Sequence, residues 1–162
     1  MALSKEQIAK AYPLPVYNYK VEIYGSDGKA ETVGFSEVSG LNITHETTSY
    51  AQSPTGKEKG PQWMYMPAQS NAVNITLKKG FVAGGVSASA LFKWINSIQL
   101  NRVDKKDISV HLCNEEGNSV VSWTVKNAFP TKLEAPSFTA ESNDVAIETM
   151  ELMADEVTIK EG

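Results

Sequence analysis

The residues with chemical potential in this sequence are few and poorly spaced for catalysis. His45, His111 and Cys113 are its only imidazole and thiol groups. A structural zinc wants one ligand more than these three supply, and nothing local brings His45 to the other two. His111 and Cys113 therefore read as neighbours on one face of a strand rather than as a metal site. Either histidine could serve a hydroxyl or thiol nucleophile, but neither lies in a local signature such as Gly-x-Ser-x-Gly. Gly80, Phe81, Val82, Ala83, Gly84 and Gly85 follow a strand and precede a helix, where a phosphate-binding loop would sit. Such a loop needs Lys and then Ser or Thr after its second glycine, to reach the phosphates and the magnesium, and Val86 stands there instead. Glu148 and Glu151, with Glu141 and Asp144 nearby, suggest an acid–base pair, yet residues three apart on a strand point to opposite faces. They read as solvated or interface charges. The chain thus offers no catalytic residue, no metal site and no cofactor site.

The elements that would position a site belong to one domain. The chain has 162 residues, 41% of them hydrophobic and 21% charged, enough for a core without disulfide or metal staples. A net charge of -4 and a pI near 5.2 weigh against a protein that works by neutralising phosphates, and sequence-specific nucleic-acid binding is not expected. Cys113 has no partner for an intramolecular disulfide. The opening Met1-Ala2-Leu3-Ser4-Lys5-Glu6-Gln7 lacks the basic-then-apolar order of a signal peptide, which predicts synthesis in the cytoplasm. No apolar run approaches the roughly 18 residues of a spanning helix, so direct membrane insertion is not expected. The sequons at Asn42 and Asn74 read as strand residues.

Period-two alternation over 17–23 predicts a strand, and Asp27-Gly28 a tight turn into a second over 31–35. The Thr-rich stretch from Ser39 to Tyr50 reads as one long strand lightly committed to a core. Residues 51–71 hold Pro54, Gly56, Gly60, Pro61 and Pro67 and read as a long loop, of a length that compact domains keep for function. It carries Trp63, Met64, Tyr65 and Met66, which either fold back over the domain or are offered to another molecule. Val73, Ile75 and Leu77 alternate in a further strand. Ser87 or Ser89 can cap a helix in which Leu91, Trp94, Ile95 and Ile98 form an apolar stripe. Ile108, Val110 and Leu112 alternate, and a Glu115-Glu116-Gly117-Asn118 turn leads to Val121, Trp123 and Val125. Pro130 and Pro136 bracket a connection to a last extended segment, whose apolar phase shifts between Ile147 and Met150 and predicts a bulge or burial on both faces. About six or seven strands and one flanking helix imply a mainly β fold, a β-sandwich or incomplete barrel.

Three segments carry a resemblance. Gly34-Phe35-Ser36-Glu37-Val38-Ser39-Gly40-Leu41, then Asn74-Ile75-Thr76-Leu77-Lys78-Lys79-Gly80-Phe81 ahead of a helix with Trp94, then Ala128-Phe129-Pro130-Thr131-Lys132 with the stretch from Asn143 to Leu152, occur in one order over nearly the whole chain. In this the sequence resembles the inner tube protein of contractile phage tails and contractile injection systems. The leader 1–13 and the segment 51–71 are its own. The resemblance implies homohexameric rings that stack into a tube inside a sheath, with baseplate or spike and terminator or cap proteins as partners and DNA or effector protein as cargo of the lumen. It implies a mechanical role without catalysis, in a phage tail or injection particle, and gives the long loop the task of reaching a neighbouring subunit or ring.

On this reading Trp63, Met64, Tyr65 and Met66 are candidate contacts between subunits or rings. The polar strand faces Asn42, Thr44, Glu46 and Asn74, Thr76, Lys78 are candidates to line a wet lumen. A type VI secretion-like ring protein is an alternative within the same resemblance. From another class, a monomeric β-sandwich module could grip a ligand with its aromatic loop.

Overall fold

A computed structural model describes residues 2–82 and 86–162, the side chains of 86–90 excepted. The elements are α1 (Lys5–Ala11), β1 (Tyr19–Tyr24), β2 (Ala30–Val33), β3 (Glu37–Ser39), β4 (His45–Gln52), β5 (Gln62–Ser70), β6 (Val73–Gly80), α2 (Val86–Asn96), β7 (Lys106–Cys113), β8 (Ser119–Glu134), β9 (Ile147–Ala154) and β10 (Glu156–Glu161).

Alternation builds β1 as the sequence predicts: Val21 and Ile23 are buried while Lys20 faces solvent. Gly28 supplies the positive φ of the following turn, and Asp27 Oδ1 accepts the N–H of Lys29 at 3.1 Å. The chain returns as β2 with Val33 opposite Val21. On the other side of β1 lies β7, and then β8, which meets β7 across the turn at Gly117.

The 16-residue β8 joins two halves of the sheet. Its first part pairs with β7 and with β10, and its second part with β9, which leads on to β6 and β3. All pairings are antiparallel in the order β2-β1-β7-β8-β9-β6-β3, with β10 also on β8. Register shifts at Lys106/Ile108 and Pro130/Lys132 mark where the ladder changes partner. The two halves share one core. Val21, Ile23, Ile108, Val110 and Val125 come from the first, and Ile75, Leu77, Met150 and Leu152 from the second. Full burial of each such side chain contributes about 1.5–3 kcal/mol. From α2, Leu91 and Trp94 complete the core; the Trp94 indole N–H donates to the Asp104 carbonyl at 2.6 Å, and Lys106 Nζ lies 5.0 Å from the ring centroid. The fold is mainly β, an open two-part sheet over one core with a flanking helix, and among the described residues the strands close no barrel.

Among the described residues ten strands form where fewer are expected, for identifiable reasons. The stretch from Ser39 to Tyr50 is two strands, because Gly40 takes φ +88° and residues 40–44 leave extended pairing before β4 begins. Asn42 and Thr44 thus lie outside any strand. The segment 51–71 is mostly strand rather than loop: it holds the end of β4 and all of β5. The last segment breaks at Asp155 into β9 and β10, and the apparent phase shift arises because Glu148, not Ile147, takes the first inward position of β9. The expected caps Ser87 and Ser89 have side chains outside the described residues, as do Ala83, Gly84 and Gly85; α2 starts at Val86 and ends before Ile98. An additional helix, α1, forms in the leader, where Ser4 Oγ accepts the Gln7 N–H and Gln7 Oε1 accepts the Ser4 N–H.

Candidate functional site

β4 and β5 pair only with each other and stand apart from the main sheet. Apart from Gln52 and Gln62, which are half-buried, every residue of the two strands is exposed. Trp63 and Tyr65 share one face of this hairpin, opposite Ala51 and Ser49; Met64 and Met66 share the other, opposite Tyr50 and Thr48. The four predicted contact residues are therefore together, on both faces of a projecting arm, and none folds back over the domain. A two-stranded hairpin is marginally stable alone in water, and apolar side chains on both its faces leave it without a core of its own.

The predicted polar residues form two groups. Asn42, Thr44 and Asn74 surround a shallow concavity at the base of the arm, and Glu46 Oε1 accepts a hydrogen bond from Asn71 Nδ2 at 2.9 Å beside it. Thr76 and Lys78 continue along the outer face of β6. There Ser39, Thr76 and Glu151 are aligned across β3, β6 and β9, as are Glu37, Lys78 and Thr149. Lys78 Nζ lies 3.1 Å from Glu37 Oε2 on this solvated face.

The residues considered for chemistry are dispersed. Cys113 stands opposite Ser119, on the same face of β7 as His111, but it is 1% exposed and its Sγ donates to the His111 carbonyl oxygen at 3.7 Å and not to the imidazole. Instead His111 Nδ1 lies 2.6 Å from Ser122 Oγ and His111 Nε2 lies 3.2 Å from Glu22 Oε2. Tyr24 O–H donates to the same Glu22 oxygen at 2.7 Å. Sequence reasoning missed this Ser–His–Glu array because its members sit on three strands; only the register Lys20–His111–Ser122 brings them together. Ser122 is buried in the middle of a paired strand, so its hydroxyl has no approach for a substrate, and the array acts as a cross-strand clasp. Among the described residues no three His, Cys, Asp or Glu side chains converge as metal ligands, and no helix is long and apolar enough to cross a membrane.

Glu148 and Glu151 do point to opposite faces of β9, but Glu148 is not a solvated charge. It is 4% exposed, and among the described residues its Oε1 has no hydrogen-bond partner. Burial raises its pKa, with Lys79 pulling the other way. Nothing in the local sequence marks this position except the phase of β9.

Comparison with known proteins places this geometry in context. Among solved structures, the chain is similar to one from the sheath–tube complex of an extracellular contractile injection system, PVC, in its extended state. The two share 44% identity with a TM-score of 0.83 over 99% of this chain and 100% of the other. It is similar also to a chain of the anti-feeding prophage cap, the AFP tube terminating cap, at 45% identity and TM-score 0.80 over all of both chains. The SPP1 tail tube shares the fold at 13% identity, with a TM-score of 0.59 over 93% of this chain and 80% of that one. A comparison with curated proteins returns no match. The model of the T4-like virus tail tube protein gp19 family matches residues 15–158, which take in every strand but the end of β10 and leave α1 outside. The open sheet, its flanking helix and its projecting hairpin are thus those of a tail tube protein, and the chain belongs to the gp19 tail tube family.

Proposed function

We propose that six copies of this chain close into a ring and that rings stack, through the β4–β5 arm, into the inner tube of an extracellular contractile injection apparatus. The observation that carries this reading is the arm itself: Trp63, Met64, Tyr65 and Met66 are exposed on a hairpin without a core, and a neighbouring subunit or ring is the cover that completes it. The two relatives above 40% identity, from a sheath–tube complex and a tube cap, support a sheath around the tube and a cap at its end. In this arrangement the protein catalyses nothing and works as a rigid conduit. The β3–β6–β9 outer face, with Asn74, Thr76 and Lys78, and the base of the arm, with Asn42, Thr44 and Glu46, suit a wet lumen wall that passes DNA or effector protein. Ring closure also covers the exposed edges at β2 and β3.

Negative-stain microscopy of the purified chain tests the reading, with hollow tubes of six-fold rings expected. Trp63→Ala combined with Tyr65→Ala should leave the subunit folded by circular dichroism. Loss of one buried aromatic anchor costs about 2 kcal/mol or more, so the concentration needed for tubes should rise at least about 30-fold. Unchanged tube formation would remove the arm from the interface; a chain that stays solitary at every concentration overturns the reading itself.

A further inference from the structure

Beside α2, at the end of β6 and under the connection 135–146, lies a cavity of 460 Å³ lined by Phe81, Phe92, Phe138, Leu133, Glu134 and Glu148. Three phenyl rings and one buried carboxylate around one space are a chemical signature; the second carboxylate, Glu134, is exposed and lies 3.7 Å from Lys132 Nζ. The Phe81 and Phe92 rings are 5.6 Å apart and tilted by 31°, and their π faces attract cations. Glu148 adds a carboxylate oxygen that is buried and, among the described residues, unpartnered. Lys79 stands opposite it in the β6–β9 register, yet the two are not within ion-pair distance. A buried acceptor left unpaired is costly, and the group that best satisfies a carboxylate between aromatic walls is a cationic side chain whose methylenes lie along the rings.

The rim identifies what kind of molecule brings that cation. Phe138 is 86% exposed and Phe81 51%, so a small amine in the cavity would leave both rings in water, whereas a protein surface carrying the cation covers them. Arg102 is the chain's sole arginine, so a second copy would offer a lysine. Lysines stand clear of the core on both projecting elements: Lys5 and Lys10 on α1, and Lys57 and Lys59 at the tip of the β4–β5 arm. We propose that the Phe81–Phe92–Phe138 cavity is a lysine-binding socket in which Glu148 receives the ammonium group of a second copy of this chain. The inference rests on the tube reading and names one of its contacts.

The test uses tubes assembled from an equal mixture of subunits labelled with carbon-13 on glutamate and subunits labelled with nitrogen-15 on lysine. Solid-state NMR should then give a contact between Glu148 Cδ and a lysine Nζ that can arise only between copies, and Glu148→Gln should abolish it. The E148Q subunit should melt no lower than the natural one, yet need a concentration at least tenfold higher to form tubes. Tubes that form without the Glu148 contact, or a contact seen only when both labels share one chain, overturn the socket and leave the tube reading intact. So does E148Q assembling at the natural concentration. Failure of the natural chain to form tubes removes both.

Discussion

At the residue scale, the polar groups of this protein act as fasteners. Glu22 accepts from Tyr24 and lies beside His111, whose other ring nitrogen faces Ser122, so one clasp spans β1, β7 and β8. The Tyr24 hydrogen bond is the main cause that lowers the Glu22 pKa below the ordinary 4.5; His111 and Lys20 add to it, and burial opposes it. A carboxyl with a depressed folded pKa contributes stability above its unfolded value, and that stability is lost as pH falls through the folded value. Tyr24→Phe should therefore cost about 1 kcal/mol at pH 7, since the Glu22 side chain is 30% exposed and partly screened. The cost should shrink as the pH falls below the ordinary 4.5 and through the lower folded value, beneath which the carboxyl is protonated in both states. Urea unfolding of the dilute subunit at the two pH values measures both. An equal cost at each pH would mean that the hydroxyl acts through packing and not through the carboxylate charge.

At the element scale, what the sequence makes legible is what one buried face imposes. β1, β6 and β7 alternate because one of their faces is sealed in the core, and that pattern is visible in Val21/Ile23, Val73/Ile75/Leu77 and Ile108/Val110. β4 and β5 bury neither face, so selection for alternation is absent, and Trp63-Met64-Tyr65-Met66 ahead of Pro67 looks like a loop although the backbone is paired. Pro130 reads as a break because it has no N–H to give, yet β8 passes through it where the register already shifts. For α1 a signal was present: Ser4 and Gln7 have capping-box spacing. The cavity around Glu148 left no such trace, since Phe81, Phe92, Phe138 and Glu148 come from four separate stretches of chain. Gly40 shows how an element boundary is enforced. Its φ is +88°, and a Cβ there would strike the carbonyl oxygen of Asn74, so glycine alone allows β3 to turn away while lying against β6. Gly40→Ala should destabilise the subunit by about 2 kcal/mol or more. Gly34→Ala, with open space and no positive φ, should stay within about 0.5 kcal/mol. Paired thermal melts would decide, and equal losses at the two positions would contradict the steric account.

At the scale of the whole molecule, the chain divides into a core that is complete and two projections that are not. The core draws on both halves of the sheet and on α2, whereas α1 has no buried residue and β4–β5 has none either. A helix of seven residues is marginal in water even when well capped, so the leader gains little by folding against nothing. Leu3, Ile8 and Tyr12 are nevertheless apolar and exposed along it, as Trp63 and Tyr65 are along the hairpin. Core and projections therefore answer to different tests. Removal of residues 2–13 should change the unfolding free energy of the dilute subunit by no more than about 0.5 kcal/mol, because no buried surface leaves with them. The same truncation should raise the concentration at which tubes appear by at least about tenfold, the equivalent of about 1.4 kcal/mol per subunit. Sedimentation of assembled material beside a urea melt of each protein reads both quantities. If the truncated chain assembled at the natural concentration, the leader would be decoration and the hairpin would have to supply the contacts between copies without it. A fall in unfolding free energy that matches the rise in assembly concentration would mean instead that the leader packs on its own core in solution.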